Sequence, residues 1–433
     1  MSGKLKSLLF VSFFLINLNV YADLSDEEQD KFILGKSFFT VPWVEAPASA
    51  TARDGLGPLY SSNTCVKCHP KNGRASIFTN KNNISRGYVS RLSIPSDNSK
   101  QDQKMKKYQG FIEEETYGAQ ISIDGIYGVS YEAKPLLRYK KLILTYPDGA
   151  TVALSQPIKG LSEQLHDLQY GHINKNVNIT NRLAPALVGL GLLEKITDAQ
   201  ILKNQDIKDL NKDGISGKAN IVYSHLHKDF RVGRFTYKAS SPSILHQTAS
   251  AASTDMSLTS VLFPNENCTK KQKECLESPK GDTFDIPIKR LEAISFYLQN
   301  LEIPPSIITQ KRGEALFLKI GCVKCHRPFF ELDDGSKVRA FSDILLHDVG
   351  EGLSDGRSEF RATPREWRTA PLWGIAKYIR ASNNKAELLH DGRAKSIEEA
   401  ILWHGGEAQE IKNTFMNLSA RQREDIIQYI KEL

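Results

Sequence analysis

Two five-residue motifs dominate the chemistry open to this chain: Cys65-Val66-Lys67-Cys68-His69 and Cys322-Val323-Lys324-Cys325-His326. In each, two thiols stand three residues apart and an imidazole follows at once. That pattern suits covalent attachment of haem c. Two thioether bonds join the vinyl groups and the imidazole binds iron from one face. A Cys-x-x-Cys alone would equally serve a redox dithiol or half a zinc site. The His in both copies, and the lack of further thiols at zinc spacing, favour haem. The expected cofactors are two covalently bound haems c, held by Cys65, Cys68, His69, Cys322, Cys325 and His326.

A second iron ligand must come from elsewhere. For the C-terminal haem the candidates are His347, His390 and His404. His404, in Ile401-Leu402-Trp403-His404-Gly405-Gly406, ends a helix expected from Ser396 and precedes the closing helix. A cytochrome c domain usually offers its distal ligand there. An imidazole at that place gives a six-coordinate, low-spin haem of lower potential than Met would give. A hydrogen-bonded surface His is the alternative. His347 and His390 read equally as structural residues. The N-terminal haem has no evident sixth ligand; in a pure electron carrier one of His166, His172, His225, His227 or His246 would cap it.

Asp209-x-Asn211-x-Asp213-Gly214 places oxygen ligands at alternating positions and a Gly for the turn, like the first half of an EF-hand loop. Position twelve is Asn220 rather than Glu. Calcium is the candidate ion, and a polar turn rich in Asp and Asn is the alternative.

The elements that position these residues can be read coarsely. Lys4 and Lys6, the apolar run Leu8 to Val20, and Val20-Tyr21-Ala22 describe a secretory signal peptide over 1–22. Its export implies a periplasmic location. No later stretch is long and apolar enough to span a bilayer. Ser25-x-x-Glu28 is a capping box that opens a helix. Leu142 to Tyr146, Pro147-Asp148-Gly149 and Thr151 to Leu154 suit a hairpin. Residues 183–203 show helical spacing. Glu314 to Ile320 reads as a helix stopped by Gly321, and Ser419-x-x-Gln422 caps an amphipathic closing helix. The expected fold is mainly α. Two cytochrome c-like domains, 23–305 and 306–433, follow the leader, and the first is enlarged by insertions with a few short strands.

Lys and Arg number 57 against 50 Asp and Glu. The excess is mild and forms no long run, so nucleic acid is not the expected partner. Cys268 and Cys275, the cysteines outside the motifs, are expected to form a local disulfide in an oxidising compartment.

Several further stretches carry a resemblance. They are Asp54-Gly55-Leu56-Gly57-Pro58-Leu59, Ala184 to Glu194, Asp213-Gly214-Ile215-Ser216-Gly217, Phe341 to Asp348, Thr369-Ala370-Pro371-Leu372-Trp373-Gly374, Leu389-His390-Asp391-Gly392-Arg393-Ala394 and Glu398 to Ala408. Together they resemble the di-haem oxidoreductase family, similar to bacterial di-haem cytochrome c peroxidases. The resemblance implies that His404 takes the distal position of the C-terminal haem, where those peroxidases have Met. It implies Asp255 as acid/base at the N-terminal haem with Gln247 as its polar neighbour, both within Gln247 to Met256. It also suggests Tyr237 for an aromatic position between the haems, and calcium between the domains. The family pattern often has Met where this chain has Val349. The implied activity is peroxidase-like. A small donor protein, such as a cytochrome or cupredoxin, feeds the C-terminal haem, and peroxide is reduced at the N-terminal one. A non-catalytic electron carrier and an oxidase of a protein or thiol substrate stay open as alternatives.

Overall fold

The Ser25 side chain accepts the Glu28 N–H while the Glu28 carboxylate accepts the Ser25 N–H, closing the capping box that starts the helix Asp26–Thr40. Phe32, Phe38 and Phe39 form its buried face. This helix packs on the helix Ile288–Gln299. Gly35 makes the close crossing, since a Cβ there would collide with the Ala293 carbonyl. Tyr297 meets Phe32 edge-on, with ring centroids 5.0 Å apart. The first haem motif follows as the short helix Cys65–Cys68, held to the opening helix by the Thr64 hydroxyl on Phe39 O.

The same construction recurs near the C-terminus. The helix Lys311–Lys319 packs on the closing helix Ala420–Lys431, whose capping box joins Ser419 and Gln422. Gly313 gives the close crossing, here against the Asp425 carbonyl. The second motif begins in the tight turn Cys322–Lys324 directly after.

The computed structural model describes residues 24–80, 83–281, 283–381 and 386–433, so the leader expected at 1–22 lies outside the described residues. Helix makes up 32% and strand 16%, which agrees with a mainly helical chain. The strands are more numerous than the few expected, and each pairs with a single partner. The hairpin Tyr139–Thr145 and Thr151–Pro157 pairs with Leu142 opposite Leu154. Tyr88–Ser93 pairs with Asn178–Leu183, and Leu346–Asp348 with Glu366–Arg368.

Residues 183–203 do not form one helix. Asn178–Leu183 is a strand, and helices run only over Leu190–Lys195 and Asp198–Lys203. Pro185 lacks an N–H and pushes Ala184 away from helical angles, and Thr197 caps a new start with Gln200. Apolar periodicity alone did not register these breaks.

Two large apolar clusters fill the interior. One joins Phe38, Phe39, Trp43 and Ile294 to Ile344 and Trp373. The other joins Phe317, Trp403, Phe415 and Ile426 to Tyr146 and Leu154 of the hairpin. Side chains therefore cross position 305 in both directions, and packing does not stop at the boundary read from the sequence.

Candidate haem sites and the adjoining cavity

Cys65, Cys68, Cys322 and Cys325 are unbridged. Burial pushes the Cys65, Cys68 and Cys322 thiols up to about 12, so none is a ready thiolate. That suits thioether partners better than a redox dithiol. His69 Nδ1 lies 2.8 Å from Pro185 O. A carbonyl only accepts, so Nδ1 carries the proton and Nε2 keeps its lone pair. Burial lowers the His69 pKa and keeps the ring neutral. His326 repeats the arrangement, with Nδ1 2.9 Å from Phe341 O and a pKa lowered to about 4, foremost by burial. Both motifs thus present a neutral imidazole with a directed Nε2 beside two thiols, and these residues fit a covalently bound haem.

The two motifs differ in what stands near them. His404 follows the helix Ile397–Trp403, which Ser396 caps, and its Nδ1 lies 2.7 Å from Ala400 O. Nε2 is again the free nitrogen. A charge on His404 would be felt at His326 and lowers its pKa. His347 offers no lone pair. Its Nδ1 is 2.9 Å from Glu407 and its Nε2 2.8 Å from Asp343. Burial opposes its charge, but the bonds to Asp343, Cys325 and Glu407 outweigh it and hold the pKa well above the ordinary value. His390 lies flat on Trp367, with centroids 3.9 Å apart and planes 11° apart. The structure thus gives His347 and His390 separate partners and leaves His404 with an unengaged Nε2 and a charge felt at His326.

Near His69 the ionisable neighbour is Asp255. Its charge is felt at Cys65, Cys68 and His69. Asp255 sits in the last turn of the helix Ile244–Met256, and its carbonyl accepts the Ser61 and Ser62 N–H groups at 2.8 and 3.1 Å. The amide that reaches its carboxylate is not Gln247. Gln120 Nε2 donates to Asp255 Oδ1 at 2.8 Å. Gln247 is two turns away on the same helix, about 12 Å along its axis. It lines a cavity of 1070 Å³ together with Gln120, Ser250 and Thr254. His225 and His246 stack on each other in the wall of that cavity, while His166, His172 and His227 are exposed.

Tyr237 lies on the seam between the two halves. Its hydroxyl donates to Leu183 O at 2.8 Å and accepts from Arg74 Nη1 at 2.9 Å, and its ring meets Trp367 edge-on at 6.5 Å. The Asp209 to Gly214 loop is closed on itself. Asp209 takes the Asp213 and Gly214 N–H groups, and Asn211 also takes the Asp213 N–H. Lys324 Nζ pairs with Asp213 Oδ2 at 3.2 Å. Among the described residues no group of three or more His, Cys, Asp or Glu is set to hold a metal ion. An ammonium thus lies against the loop for which calcium is the candidate ion. Cys268 and Cys275 are joined in a disulfide.

Among solved structures, a chain of the Kuenenia stuttgartiensis hydrazine synthase pressurised with 20 bar xenon is 19% identical with a TM-score of 0.25. The match covers 43% of this chain and 61% of that one, so less than two thirds of the solved chain is spanned. No curated protein matches. The family described as "Di-haem oxidoreductase, putative peroxidase" matches residues 15–433, nearly the whole length, and the chain belongs to it.

Proposed function

We propose that the chain is an exported di-haem c-type oxidoreductase that reduces peroxide, built from two cytochrome c-like units over 23–305 and 306–433. The repeated plan supports the two units: an opening helix, a glycine crossing on a later helix, and a Cys-x-x-Cys-His motif. In this reading Cys322, Cys325, His326 and His404 hold the electron-transfer haem. Cys65, Cys68 and His69 hold the haem where substrate reacts.

One observation carries the division. Of the ionisable groups felt at His326, namely His404, Asp343 and His347, His404 keeps a free Nε2, whereas the ionisable group felt at His69 is the Asp255 carboxylate and no second imidazole. Two imidazoles close an iron's axial positions and suit electron transfer. A carboxylate beside the other site suits proton transfer. When bound, haem iron supplies the one-electron redox chemistry. The chain's part is proton handling. Gln120 holds Asp255 Oδ1, and Oδ2 takes a proton from one peroxide oxygen and delivers it to the other as the O–O bond breaks. Two electrons and two protons then yield two waters. The donor is a small cytochrome or cupredoxin.

The bridged Cys268 and Cys275 support an oxidising, periplasmic location and remove the free thiols that an oxidase of thiol partners would use. Among the described residues no helix is long and apolar enough to cross a membrane. Electron paramagnetic resonance of the oxidised holoprotein tests the reading. We expect one high-spin and one low-spin haem signal, the former changed by peroxide. Two low-spin signals indifferent to peroxide would overturn it.

A further inference from the structure

The cavity lined by Gln120 and Thr254, beside Asp255, is far larger than a two-oxygen substrate needs. At 1070 Å³ it reaches the size of pockets for whole organic ligands. One group on its wall is a cation without a partner. Arg91, half-buried in the strand Tyr88–Ser93, makes no hydrogen bond or ion pair among the described residues. Its Nε is enclosed, whereas its two terminal nitrogens, equally without a partner, keep exposed surface. Arg91 stands directly opposite Gln120 and Thr180 on neighbouring segments. Residues so opposed project from one face of the ladder. The guanidinium therefore rises from the same face as the Gln120 amide that holds Asp255.

Positive charge is in excess at this end. Arg91, Arg182, Lys238 and Arg357 are all felt at Glu359. Asp355 and Glu359 answer them, and Glu113, which feels Arg357, is the third carboxylate. Four cations against three carboxylates leave one positive charge, and Arg91 is the cation with no partner. The other carboxylates on the wall are engaged. Glu114 takes the Thr116, Tyr117 and Asn174 N–H groups, Asp97 takes the Ser99 N–H and Asp102 takes the Asp97 N–H. Glu115 and Glu266 face Lys271 and Lys280. The wall is also aromatic. Phe111 has its ring centre 3.5 Å from the Arg357 guanidinium, and Tyr108 meets Tyr223 edge-on at 4.6 Å. A guanidinium fork takes a carboxylate through two parallel hydrogen bonds. Aromatic walls take a flat apolar body.

We propose that this cavity binds a monocarboxylate with an apolar, ring-bearing body, its carboxylate on the terminal nitrogens of Arg91, and that the peroxide reduced beside it is an organic hydroperoxide of this class. The substrate role rests on the peroxidase reading. The hydroperoxide takes two electrons from the donor protein and two protons, its O–O bond breaks, and it leaves as the alcohol and one water.

The test begins with calorimetric titration of the full-length holoprotein with 4-isopropylbenzoate and with 4-isopropylbenzamide, which keeps the shape but lacks the charge. The acid should bind about tenfold tighter, as one charge-assisted hydrogen bond gives. Arg91→Gln should abolish that preference, and Arg91→Lys, which keeps the charge, should retain part of it. Neither variant breaks a hydrogen bond of the fold. Equal affinities for the two ligands, no binding of the acid, or an unchanged preference in Arg91→Gln overturns the site. The second arm compares kcat/KM for 4-(2-hydroperoxypropan-2-yl)benzoate and cumene hydroperoxide, with a reduced cytochrome as donor. The carboxylated substrate should be favoured about tenfold. Equal values overturn the substrate role. Hydrogen peroxide, tried on the same preparation, separates the two readings. If it is reduced while the acid does not bind, this inference falls and the peroxidase reading stands. If the acid binds at Arg91 while every peroxide is inert, the site stands and the peroxidase reading falls, together with the substrate role.

Discussion

Gln120 Nε2 donates to Asp255 Oδ1 across 2.8 Å, although the two residues are 135 positions apart in sequence. The same amide approaches Ser61 Oγ and Thr254 O at 3.4 Å. Gln120 therefore fixes the carboxylate relative to the segment that leads into the first haem motif. If Asp255 moves the proton, Asp255→Asn should lower kcat for peroxide reduction about 10²- to 10⁴-fold. Gln120→Leu should cost less, because the carboxylate survives but loses its orientation. Steady-state kinetics with a reduced cytochrome checks this. Full activity in Asp255→Asn would remove Asp255 from the chemistry.

His404 and His326 each give up Nδ1 to a backbone carbonyl, which leaves an Nε2 lone pair on each ring. A thioether in place of one imidazole raises the potential of such a haem. His404→Met should therefore shift one of the two reduction midpoints upward and leave the other in place. Potentiometric titration followed at the Soret band reads both. Two unmoved midpoints would mean that His404 is not a ligand.

His390 supplies a pH test that does not involve the haems. It is buried against Trp367, and burial foremost lowers its pKa to about 3. The unfolded chain binds a proton at this imidazole near pH 6.5, and the folded chain only near 3. In that window the unfolded state carries more protons, so stability rises with pH. The contribution of neutral His390 is complete above about pH 6.5 and declines as the pH falls towards 3. His390→Phe keeps a flat ring on Trp367 and removes the titration. Urea unfolding at pH 7.5 and pH 5 should show the wild type losing about 2 kcal/mol more than the variant on acidification. Equal losses would show that His390 is not protonated on unfolding.

The haem motifs and the capping boxes were legible because their information is local. Cys-x-x-Cys-His and Ser-x-x-Glu act within one turn of chain, so adjacent letters determine the contact. The Asp255 partner was not legible. Gln247 shares the helix of Asp255, while Gln120 arrives from a separate segment through the fold. His347 shows the same limit. Its neighbour Asp343 lies four positions away, but Glu407 lies 60 away, and the two carboxylates together take both ring nitrogens. The three histidine candidates could be separated only after their tertiary partners were placed. The side chains that pack across position 305 were hidden for a related reason. A break in local pattern marks where one element ends and does not reveal which cluster the next side chain joins.

That seam also holds buried charge. Lys238, from the N-terminal half, is fully buried, pairs with Asp355 Oδ1 at 3.1 Å and lies 4.3 Å from the centre of the Trp367 ring. Arg182 approaches the same carboxylate at 2.7 Å and also meets Glu359 at 3.1 Å. The Lys238 ammonium donates further to Thr363 O and Pro364 O at 2.8 and 3.3 Å. Removing one member of such a set leaves charge and carbonyls buried with fewer partners, and loss of a buried partner costs about 3 kcal/mol or more. Lys238→Met should therefore destabilise the chain by about 3 kcal/mol in urea unfolding. Arg138→Met provides the contrast, since the Arg138–Glu163 pair is solvent-exposed and should contribute about 0.5 kcal/mol. Because Lys238 and Asp355 come from opposite sides of position 305, the loss should appear as one cooperative transition moved to lower urea. If Lys238→Met instead split the unfolding curve into two steps, the halves would be separable, and Lys238 would act as their clasp rather than as part of a shared interior.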